Sequence, residues 1–166
     1  MAEENPIVLP ENYSLEERGR TLGGRTKLQY DNIEQAFPVV EPGLRPFGSR
    51  VLVQKRTPRT VTEGGIIVPM ESQDTEFWNT QVAKVISLGP GAFKNRDTLE
   101  TWPEGDWCQE GTIVRVPKYG GDRWFVTLPG ATSMRMGVDQ ACFVIYNDLD
   151  MIGEITCDPM EVIAYL

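Results

Sequence analysis

The side chains able to act as acids, bases or ligands in this 166-residue sequence are mostly carboxylates, and one run of them falls between Ala92 and Gly111. There Asp97, Glu100, Glu104, Asp106 and Glu110 face only Lys94 and Arg96, around the stretch Trp102-Pro103-Glu104-Gly105-Asp106-Trp107. Paired carboxylates can move protons or hold a hard cation. Here they lie on turn-rich chain without any ligand motif, so a solvated charged loop is the better reading. The chain has 0 histidines, which removes the commonest general base, the Ser-His and Cys-His nucleophile pairs and the commonest transition-metal ligand. Cys108, Cys142 and Cys157 are widely spaced, form no C-x-x-C pair and read as reduced packing residues. Gly89-Pro90-Gly91 and Gly23-Gly24 read as turns, since neither opens a helix or supplies the P-loop lysine. The expectation is a protein that is not an enzyme, with no catalytic residue, cofactor or metal.

The elements that must carry these loops are short. With 16 Gly and 12 Pro, long helices are disfavoured and strands joined by turns are expected. Residues 1–43 form a front extension, broken by Pro6, Pro10, Gly19, Gly23, Gly24, Pro38, Pro42 and Gly43, in which Tyr30 to Phe37 has the length for one or two helical turns if it docks on something. From Arg45 the pattern becomes strand-like: Arg50 to Lys55, Gln81 to Leu88, Thr112 to Val116, Arg123 to Leu128, Ala141 to Tyr146 and Met151 to Thr156. Six such strands predict an all-β, small irregular barrel over 44–156, followed by a tail over 157–166. No apolar run approaches the roughly 20 residues that cross a bilayer, and the start Met1-Ala2-Glu3-Glu4 has no secretion-signal pattern, so a cytoplasmic location is expected and no membrane partner. Sixteen Lys plus Arg against 24 Asp plus Glu leave a net charge of -8, which argues against nucleic acid as a partner.

The connection Thr57 to Thr80 is longer than compact domains usually tolerate without a function, and its polar, small residues predict a loop that does not order itself. Its middle nevertheless reads Gly64-Gly65-Ile66-Ile67-Val68-Pro69-Met70. Two explanations stand: Ile66 to Val68 is a seventh core strand, or it is an exposed anchor for a partner's groove.

These pieces, in this order, resemble the GroES-like co-chaperonins, the lid subunits of group I chaperonins. Leu44-Arg45-Pro46-Phe47-Gly48-Ser49-Arg50-Val51-Leu52-Val53 is similar to the family's opening strand. Glu63-Gly64-Gly65-Ile66-Ile67-Val68-Pro69 resembles its mobile loop, and Val82 to Gly91 its strand ending in a G-x-G turn. Glu110 to Gly121 resembles the G-D-x-V stretch and Y-G-G turn, with Thr112 at the usual aspartate position, and Cys142 to Ile155 the closing strands. The front extension, the enlarged segment Thr127 to Gln140 and the tail Cys157 to Leu166 depart from the pattern, a divergence that fits a phage-encoded member acting in a host bacterial cytoplasm.

The resemblance implies a chaperonin-binding mobile loop over about 57–80, with Gly64, Gly65, Ile66, Ile67, Val68 and Pro69 as its contact residues. It implies a roof loop over about 92–111 bearing Asp97, Glu100, Glu104 and Asp106. It further implies a homoheptamer, a tetradecameric GroEL-like partner in its ATP-bound state, and unfolded client proteins enclosed beneath the lid. Trp102 and Trp107 either pack beneath the roof or finish the barrel's end, while Tyr119 and Trp124 belong to the core or to an inter-subunit contact. Two rival readings remain: an OB-like nucleic-acid binder stacking bases on Trp78, Trp102, Trp107 and Trp124, and a ring-forming viral structural or scaffold protein with a borrowed barrel fold.

Overall fold

The computed structural model describes residues 28–30, 32–62, 65–131 and 139–164. Gly64 of the predicted contact set, most of the front extension, the centre of the enlarged segment 127–140 and the last two residues lie outside these ranges.

β-branched residues dominate the strands, and their alternation divides two cores. Strands β2 (Arg50–Lys55), β4 (Val82–Leu88), β5 (Ile113–Arg115), β6 (Asp122–Thr127), β7 (Gln140–Asn147) and β8 (Gly153–Glu154) form one antiparallel sheet in the order β6-β7-β2-β4-β5-β8. The fold is therefore all-β, as expected. Val51 and Val53 of β2 join Val85, Val114, Val116, Val144 and Phe93 in the principal core, while Leu52 between them packs with Ala141 and Phe143 on the other side. Each such side chain, fully buried, contributes about 1.5 to 3 kcal/mol gross. The register shifts between Leu52 and Val53 where β2 meets β4, so the strand bends there.

The Gly89-Pro90-Gly91 turn is a place of close backbone approach. Gly89 and Gly91 donate to the carbonyls of Arg50 and Gly48 at 2.8 and 2.9 Å, and a Cβ on Gly89 would sit 2.2 Å from the Gly48 oxygen. Only glycine fits this first position, which gives the motif a structural explanation.

Outside the sheet, β1 (Leu28–Gln29) pairs with β3 (Val61–Thr62), and α1 (Ile33–Ala36) is capped by Asn32, whose side chain accepts the Gln35 N–H at 2.9 Å. This short helix does dock: Tyr30, Ala36 and Phe37 are buried with Val82, and Ile113, Ile155, Met160 and Val162 pack around them. The larger departure is α2 (Met70–Asn79), a helix where the sequence predicted a loop without order of its own. Its inner face is Gln73, Glu76 and Phe77, of which only Phe77 is apolar. None of the described helices is long and apolar enough to cross a membrane.

Candidate functional site

The root of the long connection is built around one buried cation. Arg56, at the end of β2, donates through Nη1 to the carbonyls of Pro159 and Val162 at 2.7 and 2.9 Å, and through Nη2 to Glu76 Oε1 at 3.4 Å. Arg59 Nε reaches the same carboxylate oxygen at 3.1 Å. The Arg56 guanidinium also lies over the Tyr30 ring, 5.6 Å from its centroid, while the Tyr30 hydroxyl donates to the Thr57 carbonyl. Burial holds that hydroxyl far above the ordinary phenol range and depresses the guanidinium, an effect opposed by Tyr30 and Glu76. A charge taken out of water is tolerated only when paired and hydrogen-bonded in this way. Front extension, α2 and tail therefore converge on the strand from which the loop departs.

Lys55, next to Arg56, is also buried and donates to the Thr80 carbonyl just past the end of α2 at 2.8 Å. Burial first, then the nearby charge of Arg123, push its pKa down to about 8. The C-terminal half of α2 is thus held through Glu76, Phe77 and Thr80, and its first turns through Gln73 on the Val68 carbonyl.

On this root stands the loop tip. Ile66 and Ile67 are 64% and 77% exposed, whereas Val68 is only 7% exposed. The Val68 N–H donates to the Thr60 carbonyl at 2.8 Å, and the Val68 carbonyl accepts the Gln73 side-chain amide at 2.7 Å. Of the expected exposed triplet, two residues stand in solvent and the third is turned inward, because hydrogen bonds at both its backbone groups fix it against α2. Gly65 has a φ of 80°, a left-handed conformation in which a side chain would be strained, so the diglycine is partly explained by the backbone entering the tip. Pro69 is exposed and occupies the N-cap position of α2. Among the described residues no strand covers Ile66 to Val68, where Ile67 has only an isolated bridge, so the core-strand alternative is not what the structure adopts.

The second long loop sorts its residues the other way. Phe93 is fully buried, and Trp102 and Trp107 gather against it with ring centroids 5.7 and 6.0 Å from its own and 4.9 Å from each other. Trp102 also packs against the principal core, while Trp107 remains 38% exposed. Asp97, Glu100, Glu104 and Asp106 are all exposed. Asn95 caps the turn through its side-chain oxygen, accepting from Asp97 and Thr98 N–H at 2.9 and 3.3 Å. Among the described residues no three of His, Cys, Asp or Glu gather where they could hold a metal ion.

Other expectations need correction. Tyr119 and Trp124 are exposed, which excludes the core among the two placements expected for them and not the inter-subunit contact, the Trp124 indole N–H donating to the Pro42 carbonyl at 2.8 Å. Cys108 and Cys142 are buried as predicted, but Cys157 is exposed. Burial first, and then the charges of Asp106 and Glu154, push the Cys108 thiol up to about 11, so it packs as a neutral group. Sequence reasoning missed the Arg56–Glu76–Arg59 root. The detectable signal was a helix-forming run led by Pro69 with Glu71 in its first turn.

With this geometry in view, similarity to known proteins becomes informative. Residues 43–154 match the family described as Chaperonin 10 Kd subunit, leaving both terminal extensions outside the match. The chain is 38% identical over 86 residues to the Co-chaperonin GroES of Methylacidiphilum infernorum, covering 50% of this chain and 76% of that one. It is 30% identical over 111 residues to the Co-chaperonin GroES of Caulobacter vibrioides, covering 67% and 95%. The mitochondrial 10 kDa heat shock protein of Oryzias latipes is 26% identical over 109 residues, covering 66% and 90%.

Proposed function

The chain belongs to the chaperonin 10 kDa subunit family and has a co-chaperonin role, and from that premise we propose that it caps the ATP-bound ring of a group I, GroEL-like chaperonin through the loop tip Gly64–Pro69. The observation that carries this reading is the outward display of Ile66 and Ile67 on a loop whose root is held from three sides. Apolar side chains left in water are stabilised by any partner groove that buries them, each by about 1.5 to 3 kcal/mol. Two per loop give a weak, readily released grip, because association and residual ordering of the tip offset much of that gain.

Strength then comes from number. As a homoheptamer, which the family resemblance supports, the chain presents several tips at once, and each engaged tip raises the effective concentration of the next near its own groove. Small changes in groove shape are multiplied across the ring, so attachment follows the nucleotide state of the partner. The same apolar grooves hold unfolded clients, which the tips displace into the chamber beneath the lid. The lid itself performs no bond chemistry; nucleotide hydrolysis belongs to the partner. The exposed carboxylates Asp97, Glu100, Glu104 and Asp106 suit a polar roof over that chamber.

The test is Ile67→Asp in the full chain. ATP-dependent co-sedimentation with a GroEL-like chaperonin is expected to be lost, at least a hundredfold in affinity, with the ring mass in native mass spectrometry unchanged. Undiminished binding would sink the anchor assignment, and a monomer at micromolar concentration would remove the avidity argument.

A further inference from the structure

The tip has lost one of its three apolar residues to the interior, and the residue best placed to replace it is the first of α2. Met70 is 59% exposed, close to Ile66 at 64%, and lies four positions beyond it. We infer that Met70 is a third anchor of the loop, so that the partner's groove is filled by Ile66, Ile67 and Met70 and not by Ile66, Ile67 and Val68. This inference rests on the co-chaperonin reading above and names a further binding residue within it.

Isolated apolar side chains are ordinary on protein surfaces, and Val39 and Leu149 are such cases here. Met70 differs in three respects. It is contiguous with the tip, separated from Ile67 only by inward Val68 and by Pro69, whose fixed ring leads directly into the helix. It sits on an element that does not depend on the partner for its order: Phe77 is buried in the principal core, and Glu76 is paired with Arg56 and Arg59. Its neighbours on the exposed surface of the first helical turns, Glu71, Ser72, Asp74 and Thr75, are polar, so it is where the apolar surface of the tip ends.

The chemistry suits the role. A methionine side chain is unbranched and polarizable and adapts to irregular apolar grooves. Val68 cannot take this place without releasing the Thr60 carbonyl and the Gln73 amide, both of which would then need new partners. Met70 reaches solvent at no such cost. A helix-backed anchor also loses less conformational freedom on binding than one on free chain.

The experiment compares Met70→Gln, Met70→Leu and Ile67→Asp in full-length rings, reading affinity for the ATP-bound GroEL-like chaperonin by surface plasmon resonance. Glutamine matches methionine in length and helix propensity, so the fold is retained and only apolar character is removed. Met70→Gln is expected to weaken binding at least tenfold, Met70→Leu to remain within threefold of the parent, and all three variants to keep the parent's melting temperature within a few degrees. If Met70→Gln binds like the parent while Ile67→Asp fails to bind, Met70 is not an anchor and the co-chaperonin reading stands. If Ile67→Asp also binds like the parent, the reading itself is overturned.

Discussion

The two long loops are made from similar material and sort it in opposite directions. Each combines large apolar residues with several carboxylates. In the 92–111 loop Phe93, Trp102 and Trp107 face one another and Asp97, Glu100, Glu104 and Asp106 face water. In the 57–80 connection a carboxylate, Glu76, is inside with two arginines, and Ile66 and Ile67 are outside. The first arrangement is what folding alone favours. The second leaves apolar surface wet and places a charge where it needs two partners, both of which work against stability unless something else makes use of them. The contrast accords with the proposed division, shielding for one loop and gripping for the other.

The largest effect that would sharpen the contrast is on stability alone. Phe93→Ala removes the centre of the aromatic group and should cost about 3 to 5 kcal/mol, read as a lowered urea midpoint. Chaperonin affinity of the molecules that remain folded should not change. A proportionate loss of affinity would mean that the two loops are coupled and the division of labour is wrong.

Next in size is Glu76→Gln, which leaves Arg56 and Arg59 without their shared counter-charge and should destabilise by about 2 to 4 kcal/mol. Hydrogen exchange locates the effect: the Val68 and Gln73 amides, donating to Thr60 and Pro69 carbonyls, should exchange faster, while the Asn95 and Leu99 amides of the 92–111 loop keep their rates. Uniform acceleration in both loops would show that the Arg56 cluster is an ordinary part of one core.

Lys55 tests the C-cap of α2 through pH. Its folded pKa, about 8 against an ordinary 10.5, means that the unfolded chain binds more protons between those values. Its contribution is therefore fully favourable above 10.5 and is lost as pH falls through 8. Lys55→Met should stabilise by about 1 to 2 kcal/mol at pH 7, since the charge's desolvation is relieved at the expense of one hydrogen bond to Thr80. The advantage should shrink steadily between pH 8 and 10.5. A gain independent of pH would show that the lysine is not the titrating group.

How much of this was legible in the sequence follows from where energy is decided. The strands from Arg50 to Tyr146 announced themselves because β-branched runs between turns fit only a pleated, half-buried surface, and the order of motifs then identified the family. α2 was hidden because its buried face is Gln73, Glu76 and Phe77. A periodicity search sees one apolar residue there and reads a loop, since the other two are buried by pairing with Val68 and with Arg56 and Arg59 from elsewhere in the chain. The inward turn of Val68 was invisible for the same reason: its neighbours Ile66 and Ile67 are equally apolar, and the Thr60 carbonyl that selects it is a tertiary feature. The core placement of Tyr119 and the packing role of Cys157 failed in the other direction, average burial habits being no guide to a turn and a tail on the surface.

The smallest expected effect concerns the carboxylates of the 92–111 loop, and its sign matters more than its size. Replacing Asp97, Glu100 and Glu104 by their amides should change the stability of a single chain by less than about 0.5 kcal/mol, because exposed charges in water interact weakly. In a ring with these loops around one axis the same charges repel one another, and the chain's net charge of -8 adds to that. The amide variant should therefore hold its ring at a few-fold lower protein concentration in dilute buffer, as read by mass photometry, and lose the advantage by about 0.5 M salt, where screening reaches only a few ångströms. A ring that instead falls apart more readily would mean that the carboxylates meet cations of a neighbouring subunit, with Lys94 and Arg96 on the same loop the first to examine. The second loop would then be an adhesive surface as well, directed at copies of its own chain.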